Sequence, residues 1–217
     1  MPACRVLIAE DQRTLAEEIA ESLEDETAIV VLGIANNGAE AVQLTYQFSP
    51  DVVLMDIEMP IMDGIQATRI IRQEKPETRV LVLTVLEDDT HLFEALKCGA
   101  TGYLLKNSTT TEIAQAIRAV AAGEAALPPA QAARVLSEFD RLARQRQSLL
   151  SLFEKLSRTE ISVLSLVGEG KTNVQIAQTL YVDLSTVKSH LTHILRKLEV
   201  NNRIEAARIA RQSGLQS

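Results

Sequence analysis

Tryptophan is missing from this 217-residue chain, and all aromatic residues together make up 3% of it. Its cores must therefore be aliphatic. No apolar run approaches the roughly 18 residues that a membrane-spanning helix needs, so no membrane partner is expected. Cysteine occurs twice, at Cys4 and Cys98, far apart and outside any CxxC pair. Two cytosolic thiols are expected rather than a disulfide, and with them a cytoplasmic location. The first residues, Met-Pro-Ala-Cys-Arg, lead directly into a strand-like run, without the charged and then apolar regions of a secretory signal. No GxGxxG follows that run, which argues against a dinucleotide-binding fold.

What is present is a soluble-type composition, 46% apolar and 24% charged, with a net charge of −7. The charge is uneven. Residues 1–127 hold nine Lys and Arg against 21 Asp and Glu; residues 128–217 hold thirteen against eight. An acidic front joined to a basic back suggests two jobs, and the basic part is the candidate for an anionic partner.

The front alternates. Short β-branched or leucine-rich runs at Val6–Ala9, Ile29–Ile34, Val52–Met55, Val80–Leu83 and Tyr103–Leu105 read as buried strands. Between them, Leu15, Ile19 and Leu23, and later Ile113 and Ile117, recur at four-residue spacing and read as amphipathic helices. Alternation of this kind implies right-handed βαβ units and a parallel sheet covered on both faces. Leu127-Pro128-Pro129 blocks helix continuation. Residues 130 to about 153 then read as a helical linker with an apolar stripe of Leu136, Phe139, Leu142, Leu149, Leu150 and Phe153, possible packing for a partner linker. From Leu156 on, the periodicity is helical only. Ser157 and Glu160 fit a capping box, Gly168 and Gly170 punctuate a helix end, and Thr172, Ser185 and Asn201 or Asn202 are the candidate caps of three further helices. Four short helices make a small all-α domain.

In an open α/β sheet, ligands bind outside the carboxyl ends of the strands. Glu10 and Asp11 follow the first strand, Asp56 the third, Thr84 the fourth and Lys106 the fifth. The topology brings these to one edge. Three carboxylates in one pocket repel, each pair at ~4 Å by about 4 kcal/mol at an effective dielectric near 20. A divalent cation offsets that repulsion, and oxygen ligands favour Mg²⁺. With the charge neutralised, Asp56 can act as a nucleophile toward phosphorus, while Lys106 neutralises the phosphoryl oxygens and the Thr84 hydroxyl donates to the attached group.

Together, Val-Leu-Ile-Ala-Glu10-Asp11, Val-Leu-Met-Asp56-Ile-Glu-Met-Pro60-Ile-Met-Asp63-Gly64, Val-Leu-Val-Leu-Thr84 and Gly99-Ala-Thr-Gly102-Tyr103-Leu-Leu-Lys106 resemble the CheY-like (flavodoxin-like) receiver domain of response regulators, over about residues 3–122. The resemblance implies a five-stranded parallel α/β fold, Asp56 as phosphoacceptor, and Mg²⁺ held by Glu10, Asp11, Asp56 and the backbone carbonyl of Glu58, with Asp11 the more direct ligand. It implies Thr84 and Tyr103 as a switch pair, with Pro60 and Gly64 shaping the loop beside the site. Two residues depart from the pattern. Val85 stands where the family has a small residue, and is expected to crowd the site and slow phosphorylation and dephosphorylation alike. Asn107 stands where many members have Pro or Asp, which leaves the role of Lys106 intact.

In the basic part, helices at about 172–180 and 185–198 form a helix-turn-helix. Ile176, Ala177 and Leu180 line the inner face of the first; Val187, Leu191, Ile194 and Leu198 line that of the second. The second carries Lys188, Ser189, Thr192, His193 and Arg196 outward, a face without acidic residues that can meet phosphates and base edges in a major groove. The surrounding stretches Leu156–Leu164, Gly170–Ala177, Ser185–His190 and Leu198–Ala206 resemble the LuxR/NarL-type DNA-binding domain, over about residues 152–215. That resemblance implies DNA contacts from Lys188, Ser189 and Thr192, phosphate contacts from Lys171, Thr172, Asn173 and Arg196, and a dimerisation helix with Ile204, Ala207 and Arg208. Thr159 replaces the family's usual Arg, which puts a structural salt bridge in doubt.

The expected organisation is a receiver at 3–122, a helical linker at 123–151 and a LuxR-type helix-turn-helix domain at 152–217. The expected function is that of a transcription factor and not of an enzyme. A sensor histidine kinase phosphorylates Asp56, the protein forms a homodimer, and it binds promoter DNA. Two alternatives stand beside this. One is a phosphatase-like enzyme with an aspartyl-phosphate intermediate, whose family pattern is Asp-x-Asp where this chain has Asp56-Ile-Glu58. The other is a ligand-sensing LuxR-type regulator, whose sensor needs an aromatic-lined pocket.

Overall fold

The aliphatic runs form five strands in the computed structural model: β1 (Cys4–Ala9), β2 (Ile29–Ala35), β3 (Val52–Met55), β4 (Arg79–Thr84) and β5 (Gly102–Leu105). The structure describes residues 3–24, 26, 28–85 and 88–212, and within them the side chains of residues 146, 149, 150 and 212 are left out. Helices α1 (Arg13–Glu24), α2 (Gly38–Phe48), α3 (Gly64–Glu74), α4 (Asp89–Lys97) and α5 (Thr110–Ala121) lie between and after the strands. All strand pairs are parallel, in the order β2-β1-β3-β4-β5.

Alternation along each strand divides the core. Val6, Ile8, Leu54, Leu81 and Leu104 pack with α1 and α5 through Ile19, Leu23, Ile113 and Ile117. Leu7, Ala9, Val53, Met55 and Val80 face the other way, onto Ala41 of α2 and Ala67 and Ile71 of α3. Val82 and Tyr103 continue that face, onto Leu92 and Ala95 of α4. The sheet is therefore buried on both sides, which is why its strands read as continuous apolar runs. Both cysteines are free thiols. Burial, then the charge of Asp51, pushes the Cys4 thiol up to about 11, so it is no reactive thiolate at neutral pH.

After α5 the chain returns along the edge of β5. Ala126 bridges Gly102 in parallel, and its carbonyl accepts the Tyr103 N–H at 2.9 Å. Leu127 and Val135 pack against the group that holds Tyr103. Helix α6 (Pro129–Glu154) opens on proline, whose missing N–H costs nothing in a first turn. Two compact units, Met1–Leu136 and Ser137–Ser217, divide inside the stretch 123–151 read as linker. Of its apolar stripe, Leu136, Phe139 and Leu142 are exposed, and Phe153 packs against the C-terminal core. The side chains of Leu149 and Leu150 lie outside the described residues.

The C-terminal unit continues with α7 (Arg158–Gly168), α8 (Asn173–Leu180), α9 (Leu184–Lys197) and α10 (Arg203–Gln212). The Ser157–Glu160 and Thr172–Gln175 capping boxes both form. Asn202 Oδ1 accepts the Glu205 N–H at 2.9 Å at the start of α10. Ser185, expected to cap α9, does not. Helix α9 starts two residues earlier behind an extended Asp183, and Ser185 sits inside its first turn. Leu164, Ile176, Val187, Ile194 and Ala206 form the centre of this core. Beside Thr159, the buried Glu160, 4% exposed, pairs with Lys197 Nζ at 2.7 Å. No described helix is long and apolar enough to cross a membrane.

Candidate functional site

The ends of β1, β3, β4 and β5 gather the residues that the sequence placed there. One oxygen each from Glu10, Asp11 and Asp56 lies within 4.8 Å of the others, an all-oxygen donor set. Such a set, with charge −3, fits a hard divalent ion such as Mg²⁺. Glu10 and Asp56 are buried and Asp11 is exposed, so Asp11 forms the solvent side of the cluster.

Backbone pairing sets these positions. The Asp56 N–H donates to Ala9 O, the Glu10 N–H to Ala35 O and the Lys106 N–H to Thr84 O, each at 2.9 Å. The last of these ties the end of β5 to that of β4. The Lys106 ammonium then reaches across the edge to Glu10 Oε2 at 2.6 Å and Asp56 Oδ2 at 2.9 Å. Asp56 Oδ1 accepts the Ile57 N–H at 2.7 Å. Burial is the largest influence on both buried carboxyls and raises Glu10 and Asp56 above the ordinary range; the Lys106 hydrogen bonds pull the other way. For Lys106 itself burial works downward, but the bonds to Glu10 and Asp56 outweigh it, so the ammonium stays charged.

The β3–α3 loop carries Glu58, whose side chain is exposed. Gly64 has a steric reason to be glycine: a Cβ there would sit 1.8 Å from the Asp56 carbonyl oxygen. The Gly64 N–H donates to Ile57 O at 2.9 Å and closes the loop. Ile61 takes a left-handed φ of 69° with its side chain exposed, a strained conformation for a β-branched residue. Thr84 is fully buried at the end of β4. Tyr103 is buried among Ile57, Val82, Leu92, Ala95 and Ala100. Val85, next in the chain after Thr84, is 62% exposed.

In the C-terminal unit, α9 presents Lys188, Ser189, Thr192, His193 and Arg196 to solvent, on the side opposite Val187, Leu191 and Ile194. Lys171, Thr172 and Asn173 stand together at the start of α8. On α10, Ile204 and Arg208 are exposed. Ala207, expected on the dimer face with them, is instead packed in the domain's own core. Its small side chain lets α10 approach its neighbours closely, with 9% of its surface left exposed. Sequence reading missed Arg203, which bonds Asn173 and Lys171 from thirty residues away. No local pattern signals a contact at that separation.

Residues 6–118 match the family model of the response regulator receiver domain, and residues 154–210 that of the luxR family of bacterial regulatory proteins. The chain is 41% identical to the transcriptional regulatory protein LiaR of Bacillus subtilis (strain 168) over 211 residues, 97% of this chain and 98% of that one. Among solved structures it is similar to the response regulator ChrA of a heme-sensing two-component system, at 32% identity and TM-score 0.54, covering 99% of this chain and all of that one. It is also similar to RcsB in a structure of two dimers bound to DNA, at 25% identity and TM-score 0.56, covering 98% and 99%. With an acidic strand-end cluster bridged by lysine in one unit and a helix-turn-helix in the other, the chain belongs to the response regulators of two-component systems, as a transcriptional regulator joining a receiver domain to a LuxR-type DNA-binding domain.

Proposed function

We propose that Asp56 is the phosphoacceptor through which a sensor histidine kinase controls the binding of this protein to promoter DNA. The observation that supports this most is the buried bridge from Lys106 to Asp56 and Glu10 within the acidic cluster. Glu10, Asp11, Asp56 and the Glu58 carbonyl would hold Mg²⁺, which when bound neutralises negative charge around the phosphoryl group. Asp56 Oδ attacks phosphorus, the bond from phosphorus to the donor's histidine nitrogen breaks, and that nitrogen keeps the electron pair. Lys106 transfers part of its pairing from the carboxylate to the phosphoryl oxygens. The Thr84 hydroxyl donates to the attached group, and Tyr103, buried behind it, transmits the change to the α4–β5 face.

The readout is a homodimer that sets two copies of α9 on successive half-sites. Lys188, Ser189 and Thr192 face base edges; Lys171, Thr172, Asn173 and Arg196 face phosphates. Ile204 and Arg208 form the partner side of α10. RcsB, a relative, has been seen as dimers on DNA, which supports the same arrangement here. The protein works in the cytoplasm as a regulator and not as a turnover enzyme.

Incubation of the pure protein with acetyl phosphate and Mg²⁺ tests the reading. The expected result is one added phosphoryl group, mapped to Asp56 by mass spectrometry, together with more dimer and tighter DNA binding. No adduct on Asp56, or regulated binding that survives Asp56→Asn, overturns it.

A further inference from the structure

The α7–α8 loop, which the interface sends toward phosphate, is held from behind by α10. Arg203, the first residue of α10, donates from Nη1 to Asn173 Oδ1 at 2.8 Å and from Nη2 to the Lys171 carbonyl oxygen. At the other end of the loop, Gly168 lies so close to α10 that an added Cβ would sit 2.8 Å from Ala210 Cβ. Between these two anchors Gly170 turns the chain at a φ of +81°. The Thr172 side chain is fixed as well, accepting the Gln175 N–H at 3.3 Å in its capping box.

The Arg203 contact has a chemical consequence for Asn173. A guanidinium is a donor only, so the Asn173 amide must turn its oxygen toward Arg203. That leaves the Nδ2 hydrogens as the free end of the amide. A phosphate oxygen accepts and does not donate, so this is the amide orientation that phosphate needs. The second bond, to the Lys171 carbonyl, fixes the backbone on which the Lys171 ammonium is mounted. A planar fork can hold both acceptors at once, which a lysine ammonium on a flexible stem cannot do with the same geometry.

We infer that Arg203 is a positioning residue for DNA binding: it orients the Asn173 amide toward the phosphate backbone, fixes the backbone that carries Lys171, whose ammonium is held 3.3 Å from Glu169 Oε2, and makes α10 a working part of the DNA interface. This rests on the DNA contacts proposed above. Any unit that reaches DNA with α9 then carries a loop already set for phosphate, and loss of the Arg203 contacts weakens that grip.

The test uses the full-length protein and a short random-sequence DNA duplex, with affinity measured across a salt series. Arg203→Met is expected to bind about tenfold more weakly, with the slope of log K against log salt shallower by about one contact. Arg203→Lys, which keeps the charge and the fold but not the fork, is expected to lose most of the same affinity. Adding Asn173→Ala to Arg203→Met is expected to cost little more, because the two act as one unit. Full affinity in Arg203→Lys overturns the inference, since charge alone would then suffice. So do additive losses in the double variant, or weaker binding at an unchanged slope. Should Arg203→Met fail to fold, Arg203→Lys decides alone. Wild-type protein that does not bind the duplex at low salt overturns the interface reading itself, and this inference with it.

Discussion

The Lys106 ammonium lies 2.6 Å from Glu10 Oε2, and the two side chains are 9% and 3% exposed. With Asp56 Oδ2 at 2.9 Å on its other side, this lysine acts as an internal cation for the acidic cluster. It therefore competes with a divalent ion for the same two carboxylates. Lys106→Met is expected to destabilise the Mg²⁺-free protein by about 3 kcal/mol, the cost of stranding buried charge. The same change is expected to tighten Mg²⁺ binding by about tenfold, because attraction between the cluster and a cation no longer has to displace one. Urea denaturation with and without Mg²⁺, and calorimetric titration of the ion, measure the two effects. Equal Mg²⁺ affinity in both proteins would show that the lysine does not compete.

Val85 is 62% exposed directly after the fully buried Thr84, at the position where crowding of the site is expected. Val85→Ala is expected to speed phosphorylation by acetyl phosphate and loss of the phosphoryl group to a similar degree, about two- to fivefold, which corresponds to a barrier lower by ~0.5–1 kcal/mol. Time courses of both reactions check this, and unchanged rates remove Val85 from the account.

Tyr103 is 1% exposed, and burial, followed by the charge of Asp88, pushes its phenol up to about 12 from an ordinary 10. A raised phenol keeps its proton in the folded protein after the unfolded chain has lost it. Stability from this group is therefore full below pH 10 and falls as pH rises toward 12. Tyr103→Phe is expected to flatten that alkaline decline in the receiver unfolding transition. An equally steep decline in the variant would place its origin elsewhere.

Strands β1, β3, β4 and β5 were legible because they are largely buried on both faces, and β2, half-buried with Val30 exposed, from its β-branched run; so were α1 and α5, whose Leu15, Ile19, Leu23, Ile113 and Ile117 supply an aliphatic stripe. Helices α2 and α3 were not. Their buried residues are Gly38, Ala41 and Thr45, and Gly64, Ala67, Thr68 and Ile71. Small and hydroxyl side chains let these helices approach the sheet closely and leave almost no apolar period to detect. The acidic site was legible for a different reason, since strand order alone carries Glu10, Asp56, Thr84 and Lys106 to one edge. The course of residues 123–136 along β5, and the reach of Arg203 to Asn173, depend on long-range packing that no local pattern encodes.

Glu160 joins the capping box of α7 to the end of α9. Its carboxylate accepts the Ser157 N–H at 2.7 Å and pairs with Lys197 Nζ at 2.7 Å. Burial, the largest single influence, pushes its carboxyl up, but the bonds from Lys197 and Ser157 outweigh it and hold it below the ordinary 4.5. A depressed carboxyl contributes stability that is present above pH 4.5 and lost as pH falls through the folded value. Glu160→Gln is expected to cost about 1–2 kcal/mol at neutral pH, within the range for a hydrogen bond to a charged group. The variant should also lose less than the parent below pH 4.5. Thermal unfolding of the C-terminal transition across acid pH measures both. A parallel pH dependence in the two proteins contradicts the assignment.

On α9, the Thr192 hydroxyl donates to the Lys188 carbonyl oxygen at 3.1 Å, within its own helix. With that proton committed, Thr192 faces outward as a methyl group and a lone-pair acceptor. In a major groove those complement the thymine methyl, or the amino donors of adenine and cytosine. Arg196 is one helical turn further on and is assigned to phosphate. The two substitutions should therefore separate cleanly. Arg196→Ala is expected to weaken all sequences alike and to reduce the salt slope by about one. Thr192→Ala is expected to leave the slope alone and relax the preference at one base position by about 1–3 kcal/mol. Thr192→Val, which keeps the methyl and removes the acceptor, then decides between the two modes. If selection from a random DNA pool returns the parental preference, the methyl contact carries it, and if the preference is lost, the hydroxyl oxygen does. A Thr192→Ala protein that selects the parental sequence unchanged would remove Thr192 from base recognition.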